Sequence, residues 1–441
     1  MEEGVHMSDA AIPEEHKSRR DFLCDTARLG AAAALGGNIR VSQELRPVAK
    51  EAAPVTLQFW DTFSTAEITL LHQLGAEYMK LHPNVKINFY EIPFAQRTTK
   101  VPTAVQTNSL PDILRADYPY QWYLAAAGKL LALDDYLKDW EMRHAIYPVA
   151  WKEVTYKGQI VGIPQDKFTS VFVYNKDKFK RDGVGRFPTT WAELVTACKK
   201  MTHRGEYGTA FTFGMGIDWQ LWPLILQAGG KVFDVSHGTI RPVMNSPQGV
   251  RALQFAVDLA TKYKVMPPGV ASFQYADVDN ALKGGKLGMG VFGSWQIANY
   301  REAKVPFEVG IGAWPKGPGG RGTLTATTMY MVMNTSAHQK EAVDLIKWLV
   351  NKRNALRWAK TLDHEPIDKL AAANPYFKQP IFKAFAESLP FADTRPPIPR
   401  YNAISHAFDV AAQDVVLGKV TAKQAMDQVA ATTKKILSRG I

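Results

Sequence analysis

Few side chains in this sequence are placed to do covalent chemistry. Its 441 residues include two cysteines, Cys24 and Cys198, and ten histidines. Two cysteines build neither a disulfide framework nor a cysteine-based zinc site. Cys198 lies in "TWAELVTACKKMT", where Trp191, Leu194, Val195 and Cys198 recur at helical spacing. It reads as a small buried apolar residue rather than a nucleophile. The histidines show no metal-ligand spacing, and "HEP" at 364–366 is not a zinc helix. "GPGGRG", Gly317 to Gly322, fits G-x-G-x-x-G, with Glu341 near the spacing of a ribose-binding acid. The following "TLTATTMYMVMN" reads as a strand, however, so a turn is expected there instead of a nucleotide fingerprint. No G-x-S-x-G elbow occurs, and no two carboxylates stand out as a glycosidase pair. No cofactor and no metal are expected. What remains is a wealth of rings, eleven of them tryptophan. Aromatic side chains commonly line ligand pockets, although most of these must be core.

The elements that would carry those rings alternate along the chain. "VTLQFW" (55–60) and "VKINFYEIP" (85–93) read as strands, and the stretch at 68–83 between them has helical period. A helix at 97–109, a short buried strand at 111–117 and helices within 121–137 follow. "GIPQDKFTSVFVYN" (162–175) is strand-like, and 189–202 is a helix opened by a Thr190–Glu193 capping box. Strand–helix–strand alternation implies an α/β fold with parallel strands. The length allows two substantial lobes, since single cores stop growing near ~250–300 residues.

The net charge is +11, and residues 1–53 contribute −2 of it, so the rest of the chain carries +13. Those cations are scattered, with no run of five or more, which reads as a solvated surface and not a nucleic-acid face. The opening segment has another logic. "SRRDFLC", Ser18 to Cys24, precedes the apolar run "LGAAAALGG", which is too short to span a bilayer. It resembles the twin-arginine export motif, with Cys24 where that motif usually has lysine. The resemblance implies that 1–53 are signal peptide and linker, and that the mature protein is periplasmic.

From about Val55 to Leu437 a series of stretches, among them "NSLPDILRAD", "YKGQIVGIPQD", "VFVYNKDKF", "WPLILQAGGKVFD" and "GKLGMGVFGSWQIAN", occurs in a familiar order. In that order they resemble the extracellular solute-binding proteins of bacterial ABC importers, the sugar-binding family that includes maltose-binding protein. The resemblance implies a two-lobed α/β fold, a sheet flanked by helices in each lobe and a ligand cleft between them. Lobe 1 would be 54–166 plus 326–364, and lobe 2 would be 167–325 plus 365–441. The chain would cross near Lys167–Val171, Gly322–Thr328 and Leu362–Asp368, and the lobes would close about these hinges. It also implies a monomer that is not an enzyme, binds a small polar solute such as a carbohydrate, and docks on the permease subunits of a transporter.

A sugar needs rings against its C–H faces and polar groups around its rim. The family pattern places candidates at Trp60, Asp61 and Ser64 after the first strand, Asp117 and Tyr118 after a later one, and Asp166 before the first crossing. Trp219, with Asp218 beside it, and Trp295, after Gly293, would supply stacking faces, while Trp222 would be core. Where the family has a further stacking ring this sequence has Ser405, followed by His406; Arg400, Tyr401 and Asn402 could compensate. A free Arg400 in the cleft would suit an anionic solute such as glycerol 3-phosphate. An exported enzyme such as a glycosidase is the alternative of a different class.

Overall fold

A computed structural model describes residues 53–62, 65–93, 96–236 and 239–439. The export motif and Ser64 lie outside the described residues. In chain order the strands are β1 (Val55–Asp61), β2 (Val85–Glu91), β3 (Ile113–Asp117), β4 (Thr155–Tyr156), β5 (Gln159–Ile160), β6 (Ile163–Thr169) and β7 (Val171–Asn175). There follow β8 (Tyr207–Ala210), β9 (Phe233–Ser236), β10 (Thr239–Pro242), β11 (Leu287–Phe292), β12 (Val309–Gly312), β13 (Thr323–Val332) and β14 (Ala392–Asp393).

Two main sheets result. The first has the order β14-β13-β3-β1-β2, with β6 also paired to β13. The second has the order β12-β7-β11-β8. β1 pairs parallel with β2 and β3, as the alternation implied. β11 with β8 and β13 with β14 are also parallel, whereas β13 runs antiparallel to β3 and β6, and β7 runs antiparallel to β11 and β12. The reason is connectivity. The chain leaves the first sheet after β6 and returns to it at β13, and no single crossover helix joins these two paired strands, so nothing forces them parallel.

Each sheet has its own core. Leu57 and Phe59 alternate with exposed Gln58 along β1 and pack with Leu74 and Tyr78 of the helix Thr65–Leu81. Phe172, Leu194, Trp222, Leu253 and Met289 belong to the second core. Cys198 is fully buried there, and burial pushes its thiol well above the usual range, which removes nucleophilic character. β13 is buried along its whole length, as expected of a strand covered on both faces. The architecture is α/β and two-lobed, with helices flanking each sheet.

The chain changes sheet at Ser170, between β6 and β7. Its amide donates to Leu324 O (2.8 Å), and its Oγ accepts from Trp314 Nε1 (3.0 Å) and approaches the carbonyl oxygen of Trp219 (3.4 Å). The return before β13 is the glycine turn, where Gly317 N donates to Gly320 O (2.9 Å) and a strand follows. Glu365 ties the first passage to the segment after the helix Lys352–Leu362, accepting from Thr169 N (2.5 Å) and Thr169 Oγ1 (2.9 Å).

Candidate functional site

Three rings from three elements converge beside the sheet change. Phe168 comes from the end of β6, Trp219 from the helix Asp218–Gln227, and Trp295 from the start of the helix Trp295–Glu302. Phe168 meets Trp295 edge-on at 5.1 Å between centroids and Trp219 at 6.5 Å, while the two indoles lie 6.0 Å apart. These are ordinary aromatic-pair separations. Both tryptophans are only partly buried.

Each indole is held from behind. A Cβ on Gly293 would lie 2.0 Å from Trp295 Cζ3, so only glycine leaves room for the ring to fold back over the strand end. Trp295 Nε1 donates to Tyr275 Oη at 2.9 Å. Trp219 follows a turn in which Gly216 has φ +85°, and Asp409 Oδ1 accepts from the amides of Gly216 (2.8 Å) and Ile217 (3.0 Å). Trp219 Nε1 is buried without an acceptor, a donor left unpaired by the protein itself.

Arg395 lies against one of these rings and two tyrosines, its guanidinium carbon 5.6 Å from the Trp219 centroid, 5.4 Å from Tyr118 and 5.3 Å from Tyr401. Its Nη2 and Nε donate to Asp218 Oδ2 (2.8 and 3.1 Å). Tyr401 Oη donates to the same oxygen (2.8 Å), and Ser405 Oγ donates to Asp218 Oδ1 (2.9 Å). Burial would raise the Asp218 carboxyl, but Arg395 and these hydroxyls hold it below its ordinary value. Asp117, at the end of β3, pairs with Arg97, yet burial still raises its carboxyl. Lys167 of β6 approaches Glu365 at 3.6 Å. Glu153 stands near Lys167 and Arg395, and burial pushes its carboxyl up to about 7 against their pull.

A second polar cluster is sealed within the first sheet. Arg115 of β3 has no exposed surface and donates to Asp61 Oδ1 (3.1 Å), Glu67 Oε1 (2.9 Å) and Gln165. Its guanidinium also covers the Trp358 ring at 4.8 Å. Asp166 Oδ2 accepts from Trp358 Nε1 (2.7 Å) and meets His364 Nδ1 (2.8 Å). Burial opposes ionisation of Asp166, but His364, Arg115 and Trp358 hold its carboxyl at about 2. Burial lowers and Asp166 raises His364, and the net direction is upward. For Asp61 burial wins over Arg115, and the carboxyl is raised. Glu67, Asp166 and His364 bring three ligand atoms within 4.8 Å of one another, close enough to share a cation. Arg115 already supplies positive charge at that point, and a buried metal beside it would be repelled.

The sequence candidates therefore divide. Trp219 and Tyr118 lie against Arg395, Trp295 lies beside Trp219, and Asp117 stands at the adjoining strand end. Asp61 and Asp166 belong to the sealed cluster. Trp60 and Asp61 are neighbours on a strand and so face opposite sides; Trp60 lies beside Tyr90, 5.8 Å between centroids. Arg400 is exposed at the start of the helix Tyr401–Val416. The arginine among the rings is Arg395, which sequence reasoning missed, as it missed Phe168, Arg115 and His364. Trp222 is core, as expected, with Nε1 donating to Asp393 Oδ2 (2.9 Å). A separate open depression near Trp191 and Phe255 has an exposed polar lining of Arg251, Gln254 and Lys423 and gathers no buried polar group.

Residues 64–356 match the family model described as bacterial extracellular solute-binding protein. The chain belongs to that family. It is 24% identical over 360 residues to a maltotriose-binding protein of Pyrococcus abyssi, covering 78% of this chain and 74% of the relative. It is 25% identical over 366 residues to a galactooligosaccharide-binding protein of Bacillus subtilis, covering 81% of this chain and 84% of the relative. Among solved structures it is similar to an ABC transporter solute-binding protein of Thermotoga lettingae bound with α-D-tagatose. That similarity has a TM-score of 0.80 at 25% identity, covering 87% of this chain and 99% of the other.

Proposed function

We propose that this protein is the solute-capture component of an ABC importer, taking a sugar or sugar-like solute between its lobes and delivering it to the permease. The observation that carries this reading is the convergence of Phe168, Trp219 and Trp295 with Arg395 beside the sheet change. The partly exposed Trp219 and Trp295 rings offer faces to the C–H patches of a sugar, and the polar groups around them offer partners for hydroxyls. The sugars bound by the relatives point the same way, and family membership favours binding over turnover.

The lobes are 54–166 plus 326–364 and 167–325 plus 365–441. This division is supported by the passage at Ser170 and the return before β13, each within a few residues of those limits. Hinge closure then brings β6 and the two indoles onto the solute. The protein works as a monomer in the periplasm, delivered there by the twin-arginine pathway.

Tryptophan fluorescence titrated with a solute panel tests the reading, together with mass spectrometry of any co-purified ligand. A saturable change without turnover is expected; turnover of the solute would overturn it. For export, Arg19→Lys with Arg20→Lys should abolish periplasmic delivery, and undiminished delivery would reject the twin-arginine route.

A further inference from the structure

We infer that Asp218 sets the charge selectivity of this site: by cancelling Arg395 it makes the site accept uncharged polar solutes and reject anionic ones. This rests on the saccharide reading above and deepens it. Each cation near the rings has a carboxylate partner, Arg395 with Asp218, Arg97 with Asp117, and Lys167 with Glu365, and Glu153 is a further carboxyl near Lys167 and Arg395. An uncancelled arginine in such surroundings is a strong receptor for phosphate or carboxylate. Here a solute phosphate at Arg395 would meet the Asp218 carboxylate behind it and be repelled.

The geometry assigns the remaining parts as well. Asp218 takes both Nε and Nη2 of Arg395, which leaves Nη1 as the guanidinium nitrogen with no protein acceptor among the described residues. Arg395 thus offers a directional donor without net charge, suited to a hydroxyl or ring oxygen. Asp218 Oδ2 is taken up by Arg395 and Tyr401, Oδ1 accepts from Ser405, and the side chain is almost wholly buried, so the carboxylate acts as a counter-charge. Ser405 therefore has its own role: its hydroxyl helps fix the carboxylate.

The test is calorimetric titration of the purified protein with maltotriose and with glycerol 3-phosphate. The wild type should bind the saccharide and show no measurable heat with the phosphate. Asp218→Asn should bind glycerol 3-phosphate about tenfold or more tightly than the wild type, with the gain falling as salt rises. Asp218→Asn combined with Arg395→Gln should lose that gain. Absence of a gain in a folded Asp218→Asn protein overturns the inference, as does phosphate binding by the wild type. Should Asp218→Asn not fold, Arg395→Gln alone decides whether Arg395 meets the solute: a loss of about tenfold in saccharide affinity supports it, and full affinity overturns it. A wild type that binds neither probe counts against the saccharide reading, and the phosphate titration of Asp218→Asn still tests the cancellation.

Discussion

The ion cluster around Arg115 and the ring cluster around Arg395 are built from the same kinds of side chain and end in opposite states. Each centres on an arginine paired with an aspartate and covering a tryptophan ring. Arg115 has its partners on strands and helices of one sheet layer and is wholly buried, so its charge is spent on holding β1, β3 and β6 together. Arg395 lies against Tyr118, which follows β3, and against Trp219 and Tyr401, beside indoles that are partly exposed. The difference teaches that an arginine–carboxylate pair is structural or recognitive according to what can still reach it. On the reading proposed above, a sealed pair affects stability, and a pair beside partly exposed rings selects the solute.

The largest effect should come from breaking the sealed pair. Arg115→Leu leaves Asp61 and Glu67 without their cation and Asp166 with His364 alone, and should cost about 3–5 kcal/mol in denaturant unfolding. Solute affinity of the protein that remains folded should change little; a selective loss of affinity would break the comparison. Next comes pH. Asp166 has its carboxyl lowered from 3.8 to about 2 in the folded protein, so its stabilisation is present above pH 4 and lost as pH falls toward 2. That limb should amount to about 2 kcal/mol and disappear in Asp166→Asn, read by acid unfolding. His364 is shifted the other way and raised, so its contribution is full below pH 6.5 and fades as pH rises through its folded value.

The open region should respond in affinity. Trp295→Ala should weaken the solute that responds in fluorescence titration by at least about 1 kcal/mol. Unchanged affinity would remove that ring from the site. The smallest effect is expected from Ser405→Ala, which removes one donor to Asp218 and keeps the Arg395 pair. A loss of about 0.5–1.5 kcal/mol in stability, with no gain of phosphate binding, would separate hydroxyl from charge.

Much of this was legible in the sequence. The strand period of 55–60 and the glycine before Trp295 survive in the structure, and so does Thr190 as a cap, its Oγ1 accepting from Glu193 N at 3.2 Å. The reciprocal half of that capping box differs. Glu193 reaches back to Thr189 N (2.8 Å) and to Arg186, because an exposed carboxylate takes the nearest donors. The arginine in "ILRAD" was a signal passed over: a charge in a short buried strand requires buried partners. Those partners, Asp61, Glu67 and Gln165, lie about fifty residues away in sequence and share no motif with it. Arg400 and Arg395 flank the same proline-rich stretch, and residue type could not tell them apart.

The sequence by itself determined the residue types, the alternation of strands and helices, and the family, because local periodicity and ordered motifs are carried by neighbours along the chain. Only the tertiary structure decided which arginine meets the rings, which aspartates are sealed and that Ser405 serves a carboxylate. Those outcomes depend on burial and on contacts between segments far apart in sequence, where the cost of an unpaired charge is settled by whatever the fold places beside it.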